Sequence, residues 1–466
     1  MKYVSTRGGA EQKDFAGVLL AGLASDGGLY VPVEWPVFSA VALRALRGLP
    51  YAELAARVMA PFVGESIKFS DLQSMCRKAY AGFGHPATAP LVQLDTGVFA
   101  LELFHGPTLA FKDFALQLAG HLFEHVLEQR GERVRIVGAT SGDTGSAAID
   151  AMAGRNRIEI TMLPPEGKTS AVQRRQMTTV TAKNVLNVAV KGNFDDCQDI
   201  VKALFADAPF REEMSLSAVN SINFARIAAQ IPYYVAAALA LGAPDVAVSV
   251  AVPTGNFGNV LAAWGAGRLG IPVERFIVAS NKNDILTRFL AGNDMRMRPV
   301  EESLSPSMDI GVSSNFERLL FEFLHRDAGK TAQVMADFRA TGKMDVPDAA
   351  WRAVKRAFVG FRLDDAGTLA EIARTYREAG YLADPHTAIG LAAARQCGPV
   401  GSNIIVAATA HPAKFPDAME TAVGFRPALP PRLADLYERE ETFTRAPNDF
   451  SVIQALMRKF ANRNDR

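Results

Sequence analysis

Val246-Ala247-Val248-Ser249-Val250-Ala251-Val252-Pro253-Thr254-Gly255-Asn256-Phe257-Gly258-Asn259 is the stretch that decides the fold. Its apolar first half reads as a strand buried in a parallel sheet, and it runs directly into a glycine turn and a helical pattern from Val260. In an α/β sheet, that junction is where ligands bind. Gly255 and Gly258 permit close backbone approach, while free N–H groups and the positive end of the next helix favour a phosphate. No G-K-[ST] follows and the G-x-G-x-x-G spacing is incomplete, so this is neither a Walker A loop nor a dinucleotide fingerprint. A plain left-handed turn explains the same residues equally well.

Working outward, the runs 134–137, 158–163, 185–190, 276–279 and 404–408 also read as buried parallel strands. Turn residues and usually a helical pattern follow each, the rhythm of an α/β fold with helices on the faces of its sheets. Residues 235–241 read as part of a packed helix. Before about Leu91 the pattern is mostly helical, and 86–90 reads as a linker, which predicts an N-terminal accessory domain. Residues 299–309 read as an exposed loop in a helical insertion, and 427–432 as a surface crossing before a C-terminal helical tail.

Composition narrows the function. Across 466 residues, 50 Lys+Arg offset 49 Asp+Glu, so the basic excess that a nucleic-acid binder needs is missing. No uncharged apolar run approaches the roughly 18 to 20 residues that span a bilayer, so no membrane partner is expected. Cys76, Cys197 and Cys397 lie far apart with no C-x-x-C pair. They read as small buried hydrophobes in a reducing cytoplasm.

Two further motifs carry chemistry. The turn Gly138-Ala139-Thr140-Ser141-Gly142-Asp143-Thr144-Gly145-Ser146 follows a strand and opens a helix; its hydroxyls and amides suit a carboxylate, and Ser141 or Asp143 would equally serve as a helix cap. In Leu101-Glu102-Leu103-Phe104-His105-Gly106-Pro107-Thr108-Leu109-Ala110-Phe111-Lys112-Asp113-Phe114, Lys112 sits among apolar residues near a helix start. Apolar surroundings free an amine for Schiff-base chemistry; the bland alternative is a snorkelling lysine paired with Asp113. His121-Leu122-Phe123-Glu124-His125 matches H-x-x-E-H, but no third ligand accompanies it and packing explains the helix, so no metal is expected. His105, His386 and His411 sit in turn-like contexts that suit hydrogen bonding as well as acid/base work.

One lysine, two anion-friendly glycine turns and no metal set fit a carbonyl cofactor with a phosphate handle, such as pyridoxal phosphate, acting on an anionic substrate. At this point the chain resembles the threonine synthase family of fold-type II pyridoxal-phosphate enzymes along nearly its whole length. The matching segments are 3–8, 26–32, 104–114, 140–145, 220–226, 255–259, 305–316, 384–390 and 409–415. The resemblance implies an α/β, tryptophan synthase β-like fold of three-layer sheets with a helical N-terminal accessory domain. Its expected divisions are an accessory domain 1–98, a small mobile domain 99–215 and a large cofactor domain 216–466 with a helical insertion near 283–345.

The resemblance also implies the site. Lys112 would form the Schiff base, with Gly255, Asn256, Phe257, Gly258 and Asn259 around the cofactor phosphate and Thr409 on the pyridine nitrogen. Asp143 belongs to the cofactor set, at a position where many relatives in the wider fold type carry Asn. Thr140, Ser141 and Thr144 would hold the substrate α-carboxylate; Asn220, Ser221, Asn223 and Arg226 would hold its phosphate, a surface ion pair being the bland reading of Arg226. The implied reaction turns O-phospho-L-homoserine and water into L-threonine and phosphate, in a cytoplasmic monomer or homodimer. Another fold-type II lyase, of the serine/threonine dehydratase or cysteine synthase kind, and a non-enzymatic binding relative are the alternatives; the latter would be expected to lose Lys112 or the phosphate loop.

Overall fold

The computed structural model of the protein describes residues 1–218 and 220–464. It divides into two compact units, Met1–Gly106 with Ser221–Pro427, and Pro107–Asn220 with the described residues from Ala428 onward.

The larger unit is built on a six-stranded sheet in the order Phe358–Arg362, Val273–Ser280, Val248–Pro253, Asn403–Ala408, Val98–Glu102, Leu91–Asp95. Neighbours are parallel except the last pair. The strand Asn403–Ala408, late in the chain, inserts beside Val248–Pro253, with Val248 opposite Asn403 and Ala251 opposite Val406. Thr254 and Thr409, each one residue past its strand, therefore emerge at the same end of adjacent strands, where α/β sheets place ligands. Helix Pro385–Cys397 packs tightly on this pair. A Cβ on Gly390 would lie 3.1 Å from Val406 and 3.2 Å from Pro253, so the absence of a side chain sets that close approach.

The N-terminal residues are not all helical. Lys13–Asp14, Lys2–Ser5 and Tyr30–Pro32 form a small antiparallel sheet beside helices Phe15–Ala21, Tyr51–Val63 and Phe69–Tyr80. They also pack on later residues. Tyr3 and Trp35 pack on Phe224 with ring centroids 5.2 and 6.0 Å apart, and Phe62 joins them at 6.0 Å. That shared aromatic core makes them part of the larger unit.

The smaller unit carries a five-stranded sheet in the order Thr444–Pro447, Val185–Lys191, Ile158–Leu163, Val134–Ala139, Leu216–Ser217, with all neighbours parallel. Its core gathers Val137, Leu163, Val188, Ile200, Leu204 and Ile453. The strand Thr444–Pro447 pairs with Val188–Lys191, so the C-terminal tail belongs here and not to the larger unit. Similarly, 98/99 falls inside the antiparallel pair Leu91–Asp95 and Val98–Glu102. The compact units thus divide the chain differently from the expected 1–98, 99–215 and 216–466.

Cys76 and Cys197 are buried, and burial pushes both thiols up to about 12, which keeps them unreactive; Cys397 is partly exposed. Among the described residues no helix is long and apolar enough to cross a membrane.

Candidate active site

In the smaller unit, Lys112 is the first residue of helix Lys112–Arg130, and the turn before it is tightly clamped. The buried carboxylate of Asp113 accepts from Thr108 N at 2.8 Å and from Thr108 Oγ1 at 2.6 Å. Leu109, inside that turn, has φ of 64°. Such strain costs on the order of 1 kcal/mol, less than the roughly 1.5–3 kcal/mol from burying a leucine. Leu109 is buried against Val172, Leu433 and Leu436, so packing holds the turn. Asp113 is thereby committed to Thr108. Lys112 Nζ instead lies 3.7 Å from Asp143 Oδ2, with its side chain 12% exposed, which overturns the reading of a snorkelling lysine paired with Asp113.

Asp143 opens helix Asp143–Met152, just after the second glycine turn. Its Oδ1 accepts from Gln173 Nε2 at 2.9 Å. Thr140 does not present its hydroxyl oxygen outward: Oγ1 accepts from Gly142 N at 3.0 Å and Gly145 N at 2.8 Å, and the residue is buried. These bonds shape the loop, on which Ser141 is exposed and Thr144 partly exposed. Asn220, also in this unit, is partly exposed.

In the larger unit the loop Gly255-Asn256-Phe257 leads into helix Gly258–Arg268. Phe257 takes φ of 62°, costly for a bulky residue, and is held there by packing on Phe316 and Phe358. The segment 313–315 fastens the loop from outside. Ser313 Oγ donates to Gly255 O at 2.7 Å, Asn315 N and Nδ2 donate to Asn256 O at 3.1 and 2.9 Å, and Ser314 Oγ donates to Asn256 Oδ1 at 3.2 Å. A Cβ on Gly255 would meet Ser307 O at 2.6 Å. The loop 299–309 is therefore not simply exposed: Ser305 and Met308 are buried, and Asn281 and Ser303 both donate to Asp309 Oδ1, at 2.7 and 2.6 Å.

Thr409, at the end of the neighbouring strand, is buried, and its N donates to Thr387 Oγ1 at 3.1 Å. Thr387 Oγ1 in turn donates to Asp384 Oδ2. The other oxygen of Asp384 pairs with His386 Nδ1 at 2.7 Å, and Ser307 N donates to His386 Nε2 at 3.3 Å. His386 thus links Asp384 to the segment 305–309. His105 pairs with Glu102 at 2.7 Å, and His411 caps the short turn Pro412–Lys414. His121 Nδ1 lies 3.3 Å from Arg155 Nη1 and His125 Nε2 lies 2.9 Å from Gln129 Nε2.

Arg226, in the short helix Phe224–Ala228, is 5% exposed, so it is no surface ion pair. Its Nε and Nη1 have no partner among the described residues, and burial holds its pKa down to about 10. Arg318 makes the contrast: equally buried, it donates to Tyr30 O at 2.9 Å, to Ile222 O at 2.5 Å and to Asn315 Oδ1. An uncompensated buried guanidinium is costly unless an anion arrives. Asn223, expected beside it as a phosphate ligand, is spoken for at both ends: Oδ1 accepts from Ala225 N at 3.0 Å and Nδ2 donates to Leu19 O at 2.8 Å. Ser221 Oγ lies 3.5 Å from Ser314 Oγ.

Family comparison covers most of the sequence. Residues 2–80 match the family described as threonine synthase N terminus, 85–338 the pyridoxal-phosphate dependent enzyme family, and 387–457 the threonine synthase C-terminal family. Threonine synthase of Pseudomonas aeruginosa is 52% identical over 465 residues, with 99% of each chain covered.

The chain belongs to the threonine synthase family.

The yeast relative, threonine synthase of Saccharomyces cerevisiae, is 39% identical over 90% of this chain and 89% of its own. Among solved structures, pyridoxal-phosphate-bound threonine synthase from Brucella melitensis superposes with a TM-score of 0.97 at 50% identity, and threonine synthase from Escherichia coli with 0.82 at 32%. They cover 99% and 98% of this chain, and 99% and 100% of their own. The chain therefore has the fold-type II pyridoxal-phosphate architecture of threonine synthases. Some residues around the site carry no signal in a single sequence: Gln173 on Asp143, Ser313 to Asn315 on the loop, and Thr387 on Thr409. Only the quoted likeness of 305–316 and 384–390 pointed near the last two sets.

Proposed function

We propose that the protein converts O-phospho-L-homoserine and water into L-threonine and inorganic phosphate, with pyridoxal phosphate as cofactor. The residues fit that group. A glycine loop opens a helix, the loop's outer side is closed by Ser307 and 313–315, and buried Asn259 keeps its Nδ2 without a partner among the described residues. In this reading Gly255 to Asn259 hold the phosphate of the cofactor, Thr409 its ring nitrogen, Asp143 its polar ring edge, and Lys112 is its covalent anchor. When bound, the cofactor supplies an electron sink for charge developing on the substrate carbons.

The chain's own residues do the rest. The amine of Lys112 is the group that would take the α-proton and carry protons among the substrate carbons. Asp143 keeps a negative charge beside that amine, favouring its protonated form after each transfer. Ser141 and Thr144 receive the α-carboxylate at a helix N-terminus, on a loop that Thr140 shapes from within. Arg226 grips the substrate phosphate and stabilises it as the Cγ–O bond breaks; Ser221 and Asn220 are the further ligands proposed for that phosphate, while Asn223 positions the segment. Water then supplies the hydroxyl at Cβ.

Arg226 is the observation that carries the choice of substrate. A dehydratase or cysteine synthase acting on an unphosphorylated amino acid has no use for a buried, uncompensated guanidinium. The reading includes a cytoplasmic enzyme working as monomer or homodimer. Its test is phosphate release from O-phospho-L-homoserine against deamination of serine and threonine: the first is expected to be fast and the second weak, and the reverse order would make the protein a dehydratase.

A further inference from the structure

Tyr233 and Tyr234 lie fully buried in helix Ile231–Ala240 and have no role in the reaction as described so far. Both phenols meet one atom, Oδ1 of Asn259, at 2.7 and 2.5 Å. Since a protonated phenol donates, the atom it meets is the amide's acceptor, and the NH2 group is turned away from the tyrosines. Burial raises both phenols well above their ordinary pKa, so they remain donors at any working pH.

Asn259 is 7% exposed, yet its Nδ2 has no partner among the described residues. A buried donor left open is expensive, and the expense is recovered only when an acceptor comes. The residue is the second of helix Gly258–Arg268, directly after the glycine loop, where an anion is favoured. Tyr233 also reaches Gln230 Oε1 at 3.0 Å, and Gln230 Nε2 donates to Arg226 O at 2.7 Å. The single proton of Tyr233 serves one acceptor at a time, so Tyr234 is the steadier donor to Asn259.

We infer that Tyr233 and Tyr234 are positioning residues that fix the amide of Asn259 so that its Nδ2 donates to the cofactor phosphate. The inference rests on the phosphate lying at the Gly255 loop. Its test is titration of the full-length apoenzyme with pyridoxal phosphate and, separately, with pyridoxal, which has the same ring and aldehyde but no phosphate. Tyr234→Phe is expected to weaken pyridoxal phosphate about tenfold while changing pyridoxal by less than about twofold. Asn259→Ala should show the same phosphate-selective loss, and adding Tyr234→Phe to it should bring no more. Should Tyr234→Phe not fold, Tyr233→Phe carries the same comparison with a smaller selective loss. Equal weakening of both ligands, or of neither, overturns the positioning role. Wild-type protein that binds pyridoxal as tightly as pyridoxal phosphate overturns the placement of the phosphate itself, a distinct failure.

Discussion

Nζ of Lys112 stands 3.7 Å from Oδ2 of Asp143, whose Oδ1 is held by Gln173 Nε2 at 2.9 Å. The lysine is presented by a clamped turn and the carboxylate by a helix start, so neither has to be ordered when the cofactor arrives.

A carboxylate at that distance favours positive charge on the linkage between Lys112 and the cofactor. Asp143→Asn removes the charge and keeps the shape. The pH at which the bound cofactor changes colour should fall, by about one unit or more. A spectral titration reads this directly; an unchanged midpoint would place Asp143 outside the electrostatics of the site.

Lys112→Ala should abolish turnover while the protein still takes up cofactor noncovalently. Borohydride treatment of the wild type, followed by peptide mapping, should fix the cofactor on Lys112 and on no other lysine. A second labelled lysine of equal yield would contradict its assignment as anchor.

The two loop glycines should behave differently. A Cβ on Gly255 would sit 2.6 Å from the backbone oxygen of Ser307, whereas one on Gly258 meets Ile227 Cδ1 at 3.3 Å, a methyl that can move. Gly255→Ala should therefore lower the melting temperature as well as cofactor affinity. Gly258→Ala should leave melting of the apoenzyme nearly unchanged and lower affinity alone, because only the phosphate approach is spoiled. Calorimetry and cofactor titration together separate the two.

Arg226 trades stability for binding. Replacing it by Leu removes a buried guanidinium with two unpartnered nitrogens, so the substrate-free protein should be more stable, by about 1–3 kcal/mol. The same change should cost on the order of 2–4 kcal/mol in kcat/KM for O-phospho-L-homoserine, roughly 30- to 1,000-fold. Binding of an unphosphorylated amino acid should hardly change. Lower stability together with equal weakening of both ligands would make Arg226 a structural residue.

Much of this was readable from residue order. The strand 158–163 is found at the expected bounds, the runs at 134, 185, 276 and 404 each lie on a strand, and the run 246–252 does so only from Val248, Val246 being exposed; β-branched and apolar residues buried on both faces leave little choice. Phe358–Arg362 was not legible: Gly360 breaks its apolar pattern, and the reason is tertiary, since a Cβ there would lie 2.9 Å from Thr287 Cα. Thr444–Pro447 was missed because its pairing with residues 188–191 is long-range and its own four residues hold a single buried apolar side chain. In the site, the motifs named Lys112, Asp143 and Arg226 but not their states. That Asp113 is committed to Thr108, that Thr140 faces inward and that Asn223 is used at both ends depend on backbone positions no single sequence displays.

The central claim is best tested by giving the holoenzyme O-phospho-L-homoserine in oxygen-labelled water and following both products by mass spectrometry. Threonine and phosphate should appear in equal amounts, with the label in the threonine hydroxyl and none from the reaction in the phosphate, because the Cγ–O bond breaks and water adds at Cβ. Label in the phosphate with homoserine as co-product, or 2-oxobutanoate and ammonia in place of threonine, would contradict the account.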